Sequence, residues 1–156
     1  MTPRFEKAYN ALYNAFMNDT LAKGTCKACA VGNIVANAMG TSVTSEYNCE
    51  VNNSFWNSIF YTPTDGEQII KRNASCEKDL EVLTEYSWEE MAKVEYAFER
   101  ATKIHYFYYN SHTPQELMED QFNGLMAVMD VLIELDSIKE GSEYKNKFRN
   151  KFTQAV

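Results

Sequence analysis

The sequence predicts an all-α protein, a single compact and irregular helical bundle over residues 1–156, and three observations carry that prediction. Apolar residues recur at three- and four-residue steps along most of the chain outside 41–87. Two Ser/Thr capping boxes, Ser87-Trp-Glu-Glu90 and Thr113-Pro-Gln-Glu116, open periodic runs, because a hydroxyl and a carboxylate three residues apart satisfy each other's free amides. The run 114–136 has an apolar arc wider than a half circle, which makes it the expected central helix.

Taken in order, Thr2-Pro3 supplies an N-cap and a first helical residue, and Phe5, Ala8, Tyr9, Leu12, Tyr13, Phe16 and Met17 predict a helix over about 3–19. A second helix is expected over about 26–39, closed by Gly40. Phe55, Trp56, Ile59 and Phe60 stand at helical spacing within 52–61, and Thr62-Pro-Thr-Asp-Gly66 reads as a turn. Residues 67–83 fit a helix, a short hairpin or a long ordered loop. After Ser87, Met91, Val94, Phe98 and Ala101 share one face. In the central run Leu117, Leu125, Val128, Val131, Leu132 and Leu135 lie in one arc, with Met118, Phe122, Met126, Met129 and Ile133 beside it. Residues 136–141 end that helix, and Ser142 is the expected cap of a last one carrying Tyr144, Phe148 and Phe152.

Composition bounds the function. Forty-five per cent apolar and 24% charged residues describe a folded globular chain. A formal charge of −7 opposes generic binding to phosphate backbones and anionic membranes, so neither a nucleic acid nor a membrane is an expected partner. No apolar run approaches the ~20 residues that cross a bilayer. The start Met1-Thr-Pro-Arg-Phe-Glu-Lys7 has no hydrophobic signal core, which gives a cytoplasmic expectation.

The segment 26–40 has the most distinctive local chemistry. On a helical wheel Val31, Ile34, Val35 and Ala38 form an apolar wall, and Cys26, Cys29, Asn33 and Asn37 form a narrow polar strip, the expected functional surface. A thiol at a helix N-terminus sits where free amides favour the thiolate, so Cys26 and Cys29 are candidate reactive or zinc-binding residues. Against this, Cys49 and Cys76 stand alone and His105 and His112 lack His-x₃₋₅-His spacing, so no second ligand pair accompanies the CxxC. The expectation is therefore no metal and no cofactor, with zinc at Cys26 and Cys29 as the alternative. His105 falls near the apolar arc of Met91, Val94, Phe98 and Ala101 if that helix runs so far. The aromatic run Tyr106 to Tyr109 is either buried all round, a strand, or a contact patch exposing Tyr106 and Phe107. Glu95, Glu99, Asp130 and Glu134 are paired acids that a solvated helix face explains. No Ser–His–Asp set, phosphate loop or His-Glu-x-x-His occurs as a linear motif.

Three stretches, Cys-Lys-Ala-Cys-Ala-Val-Gly-Asn at 26–33, Trp-Glu-Glu-Met-Ala-Lys-Val-Glu-Tyr-Ala-Phe-Glu at 88–99 and Phe-Asn-Gly-Leu-Met-Ala-Val-Met-Asp-Val-Leu at 122–132, resemble a family of small, uncharacterised bacterial and phage proteins. Some of its members are named as a component of a sodium-translocating NADH-quinone reductase. The chemistry of that component needs a four-cysteine iron–sulfur site with flavin and nicotinamide domains, and this chain has no such cluster and no Gly-x-Gly-x-x-Gly. The resemblance thus implies a shared fold and little chemistry, and its phage side implies action on a host protein or sequestration of a small ligand. The expected function is a non-enzymatic binding or regulatory protein, the alternative a thiol or metal protein centred on Cys26 and Cys29.

Overall fold

The computed structural model describes residues 2–23, 29–40, 60–61, 69–70 and 80–154. Helices carry the fold, in the order α1 (Pro3–Met17), α2 (Ala30–Ala38), α3 (Trp88–Ala101), a 3₁₀ helix (Tyr106–Ser111), α4 (Pro114–Asp136), α5 (Gly141–Lys147) and α6 (Asn150–Gln154). Residues 80–84 are also helical. Strands β1 (Phe60–Tyr61) and β2 (Ile69–Ile70) pair antiparallel, Phe60 opposite Ile70 and Tyr61 opposite Ile69.

The helix starts follow from side-chain chemistry. Thr2 Oγ1 accepts the Phe5 N–H at 3.2 Å ahead of Pro3. Both capping boxes form, Ser87 with Glu90 and Thr113 with Glu116. α1 stops at Met17, two residues short of the expected end, because Asp19 turns left-handed at φ 59°. α4 runs over the expected 114–136 and ends where Ser137 turns left-handed at φ 51° and the Ile138 N–H reaches back to the Ile133 carbonyl at 3.0 Å.

α4 is central: it packs most extensively on α3 and also contacts α1 and α5. α3 and α4 approach closely at Gly124, where a Cβ would fall 2.5 Å from Thr102 Cγ2 and 2.9 Å from Phe98 Cδ1. On the other side α1 meets the C-terminal helices through edge-on rings, Tyr9 with Phe148 at 5.6 Å and with Tyr144 at 4.9 Å.

Three expectations are corrected. Phe60 and Tyr61 are strand rather than helix, because short aromatic and β-branched runs suit both periods and cross-strand pairing decides. The second helix starts at Ala30 with Cys29 as its extended N-cap, not near 26, while Cys26, Cys49, Cys76, residues 52–59 and the turn 62–66 lie outside the described residues. The last helix is not capped by Ser142: α5 starts at Gly141, where a Cβ would fall 2.8 Å from Ile133 Cδ1, and the chain turns at 148–149 before α6.

One polar hub ties three elements together. Asp136 at the end of α4 accepts from Arg4 Nε at 2.9 Å, Thr2 Oγ1 at 2.8 Å and the Tyr86 hydroxyl at 2.8 Å. Arg4 lies 4.1 Å over the Tyr86 ring and also reaches Glu90 at 3.2 Å. Burial by itself would raise the Asp136 carboxyl, but hydrogen bonds from Arg4, Thr2 and Tyr86 outweigh it and hold the group below its ordinary 3.8. A lowered carboxyl stabilises the fold above its unfolded pKa, and that contribution fades as pH falls through the folded value. Asp136→Asn is expected to cost about 2–3 kcal/mol at pH 7. Chemical denaturation should show variant and native protein converging as the pH drops below 3.8.

Candidate functional site

Two features stand out along α3 and the chain that follows it, one buried and one exposed. The buried one begins at Cys29, the N-cap of α2, whose Sγ accepts the Gly32 N–H at 3.3 Å. Glu95 reaches across from α3 and its Oε1 accepts the Val31 N–H at 3.1 Å, so a carboxyl group occupies the amide-rich start of α2. Glu99 follows one turn later on the same face. Cys29 is fully buried, Glu95 is 1% and Glu99 3% exposed, which corrects the expectation of a solvated acidic face at these two positions. Asp130 and Glu134 are exposed as expected, Asp130 bonding Lys145 at 2.6 Å.

The electrostatics of this cluster favour protons. Burial first, then the negative charge of Glu99, pushes Glu95 well above the usual carboxylate range, against the pull of the Val31 amide and the Cys29 thiol. Burial, then Glu95 and Glu99, pushes the Cys29 thiol up. Cys29 is thus a closed, protonated thiol, and the environment works against the nucleophilic thiolate that its N-terminal position suggested. Among the described residues no three His, Cys, Asp or Glu side chains converge as a metal site needs.

The polar strip expected on α2 does not form one surface. Asn33 is buried and donates to the Thr20 carbonyl at 3.2 Å and the Cys29 carbonyl at 3.0 Å, whereas Asn37 is exposed. Asn37 lines a cleft of about 220 Å³ with Lys7, Ile34 and Leu83. A shallower groove of about 510 Å³ runs between α3 and α4 beside Tyr96, Val131 and Leu135.

The exposed feature is the aromatic run. α3 ends at Ala101 because the Thr102 hydroxyl turns back to the Phe98 carbonyl at 2.7 Å, and the chain then becomes extended. His105 therefore lies beyond the helix, so the condition for placing it near the α3 arc is not met. It pairs with Lys23 in a parallel bridge and its Nδ1 accepts the Phe107 N–H at 3.2 Å. The rings of His105 and Phe107 stack at 5.0 Å. Tyr106 is 53%, Phe107 81% and Tyr108 63% exposed, so of the three readings of this run the contact patch is the one observed.

This turn is braced from beneath. The Tyr106 N–H donates to the Lys23 carbonyl at 2.9 Å, and the Lys23 amine donates at 2.6 Å to both the Glu99 and Thr102 carbonyls at the end of α3. Asp120 accepts the Lys103 and Ile104 amides at 2.8 and 3.0 Å. Tyr109 turns inward, its hydroxyl accepting from Gln121 at 3.3 Å and donating to the Leu21 carbonyl at 3.4 Å.

No family model, curated protein or solved structure matches this chain. The site is therefore read from its own geometry. Sequence reasoning placed Tyr106 and Phe107 in it, missed Tyr108, and missed Glu95 and Glu99 behind it. A signal for Glu95 was present: at 100° per residue it falls between Met91 and Trp88, both of them buried.

Proposed function

We propose that this chain is a non-enzymatic binding or regulatory protein that engages a protein partner through the aromatic turn at Tyr106, Phe107 and Tyr108. The observation that supports this reading is the exposure of three consecutive rings on a backbone anchored at both ends. Exposed aromatics on an already ordered turn give a partner large apolar area at low cost in conformational entropy. Among the described residues no helix is long and apolar enough to cross a membrane, in keeping with a partner other than a bilayer core. The buried cluster of Cys29, Glu95 and Glu99 offers a partner little surface.

The test is a photo-crosslinking residue at position 107, with one at exposed Lys139 as control. A crosslinked protein from the lysate of the source cell is expected at 107 and not at 139, and Phe107→Ser should abolish capture of that protein. Because Phe107 is 81% exposed, the substitution should alter stability by no more than about 0.5 kcal/mol. Equal capture by the native protein and Phe107→Ser would refute the reading.

A further inference from the structure

Resting on that reading, we propose that the partner presents an arginine-rich segment whose guanidinium groups stack on Tyr106, Phe107 and Tyr108. Two independent observations lead there. The first is charge. Between Ile104 and Ser137 the chain has no Lys or Arg, and beside the turn it carries the carboxylates Glu116, Glu119 and Asp120. Two of these bracket the turn itself: Asp120 holds the amides of Lys103 and Ile104 on its entering side, and Glu116 lies 2.9 Å from His112 on its leaving side. Among the described residues Lys103 stands one residue outside this stretch, Lys23 commits its amine to the Glu99 and Thr102 carbonyls, and Arg100 donates to the Tyr96 hydroxyl at 3.0 Å.

The second observation is which rings already hold a cation. Arg4 lies over Tyr86 at 4.1 Å, Lys151 over Phe16 at 4.5 Å, Lys147 over Tyr144 at 5.1 Å and Arg149 over Phe122 at 5.2 Å. Tyr96, also exposed, has Arg100 at 5.2 Å. Among the described residues no cation of the chain lies over Tyr106, Phe107 or Tyr108. Exposed π faces beside carboxylates attract a cation, and a planar guanidinium both stacks on the ring and pairs with the acid, which an ammonium does less well. An acidic peptide or a nucleic acid would meet the same carboxylates as repulsion.

The probe is a fluorescent peptide of alternating arginine and glycine, with lysine and glutamate counterparts, titrated into the full chain at about 150 mM salt to screen long-range attraction. The arginine peptide is expected to bind several-fold more tightly than the lysine one, and the glutamate peptide not at all. Phe107→Ser and Tyr108→Ser should each weaken arginine-peptide binding roughly tenfold. Asp130→Asn, remote in sequence on α4, should leave it unchanged. Absence of binding, equal affinity for arginine and lysine peptides, or binding indifferent to Phe107→Ser would overturn the inference, the last two marking mere attraction to a chain of charge −7. Crosslinks from position 107 into a partner segment without basic residues would overturn the arginine assignment while leaving the protein-binding reading intact. Absence of any crosslink would remove both.

Discussion

Leu125→Asp is expected to abolish folding. Leu125 is fully buried on α4, the helix on which α1, α3 and α5 all pack. Truncation to alanine at such a site costs about 3 kcal/mol in lost transfer energy and cavity formation. Aspartate adds the desolvation of a carboxyl group with no partner in an apolar core, which takes the loss past ~5 kcal/mol and into the range of a domain's whole stability. Circular dichroism and limited proteolysis should report an unfolded or degraded chain. Asn123→Asp, two residues away on the exposed side of the same helix, should change stability by no more than about 0.5 kcal/mol. A Leu125→Asp variant that melts cooperatively near the native temperature would show that α4 is not the centre of the core.

The helices that were legible in the sequence are those whose ends are fixed by local chemistry. Thr113, Pro114 and Glu116 start α4 with side chains a few residues apart, and the apolar arc that follows is wide enough to fix its burial. The start of α3 at Ser87 is local in the same way. Its end is not, since the carbonyls of Glu99 and Thr102 are satisfied by Lys23, which is 76 and 79 residues away in the chain. For this reason the position of His105 could not be read from periodicity. The aromatic run was visible as composition, but its exposure depends on Lys23 and Asp120 holding the turn from two other elements. Charge alone points Glu95 and Glu99 to a solvated face, but Glu95 shares the arc of Met91 and Trp88, and position on the helix prevails over charge. The polar strip of α2 failed for a related reason. A helical wheel separates faces, but only the packing of α2 on α1 and α3 decides which faces are covered, and Cys29 and Asn33 came out inside.

Glu95→Gln is expected to remove much of the loss of stability that this protein suffers as pH rises. In the folded chain burial and the neighbouring Glu99 hold Glu95 protonated well above its ordinary 4.5, while the unfolded chain releases that proton near 4.5. Folding therefore takes up a proton over this interval, the reverse of the Asp136 case. The stabilising effect is complete below the unfolded value and is lost as pH climbs toward the folded one. Glutamine is neutral throughout, nearly the same shape, and keeps a carbonyl for the Val31 N–H that Glu95 Oε1 now accepts at 3.1 Å. Denaturant titrations at pH 5 and pH 8 should find the variant close to the native protein at the lower pH and more stable by about 1–3 kcal/mol at the higher one. Glu95→Ala separates charge from shape: it also removes the charge but leaves the Val31 amide without its acceptor, so it should be less stable than Glu95→Gln at both pH values. Parallel pH profiles for native protein and Glu95→Gln would mean that Glu95 is ionised in the folded state, and that the start of α2 holds a carboxylate rather than a carboxylic acid.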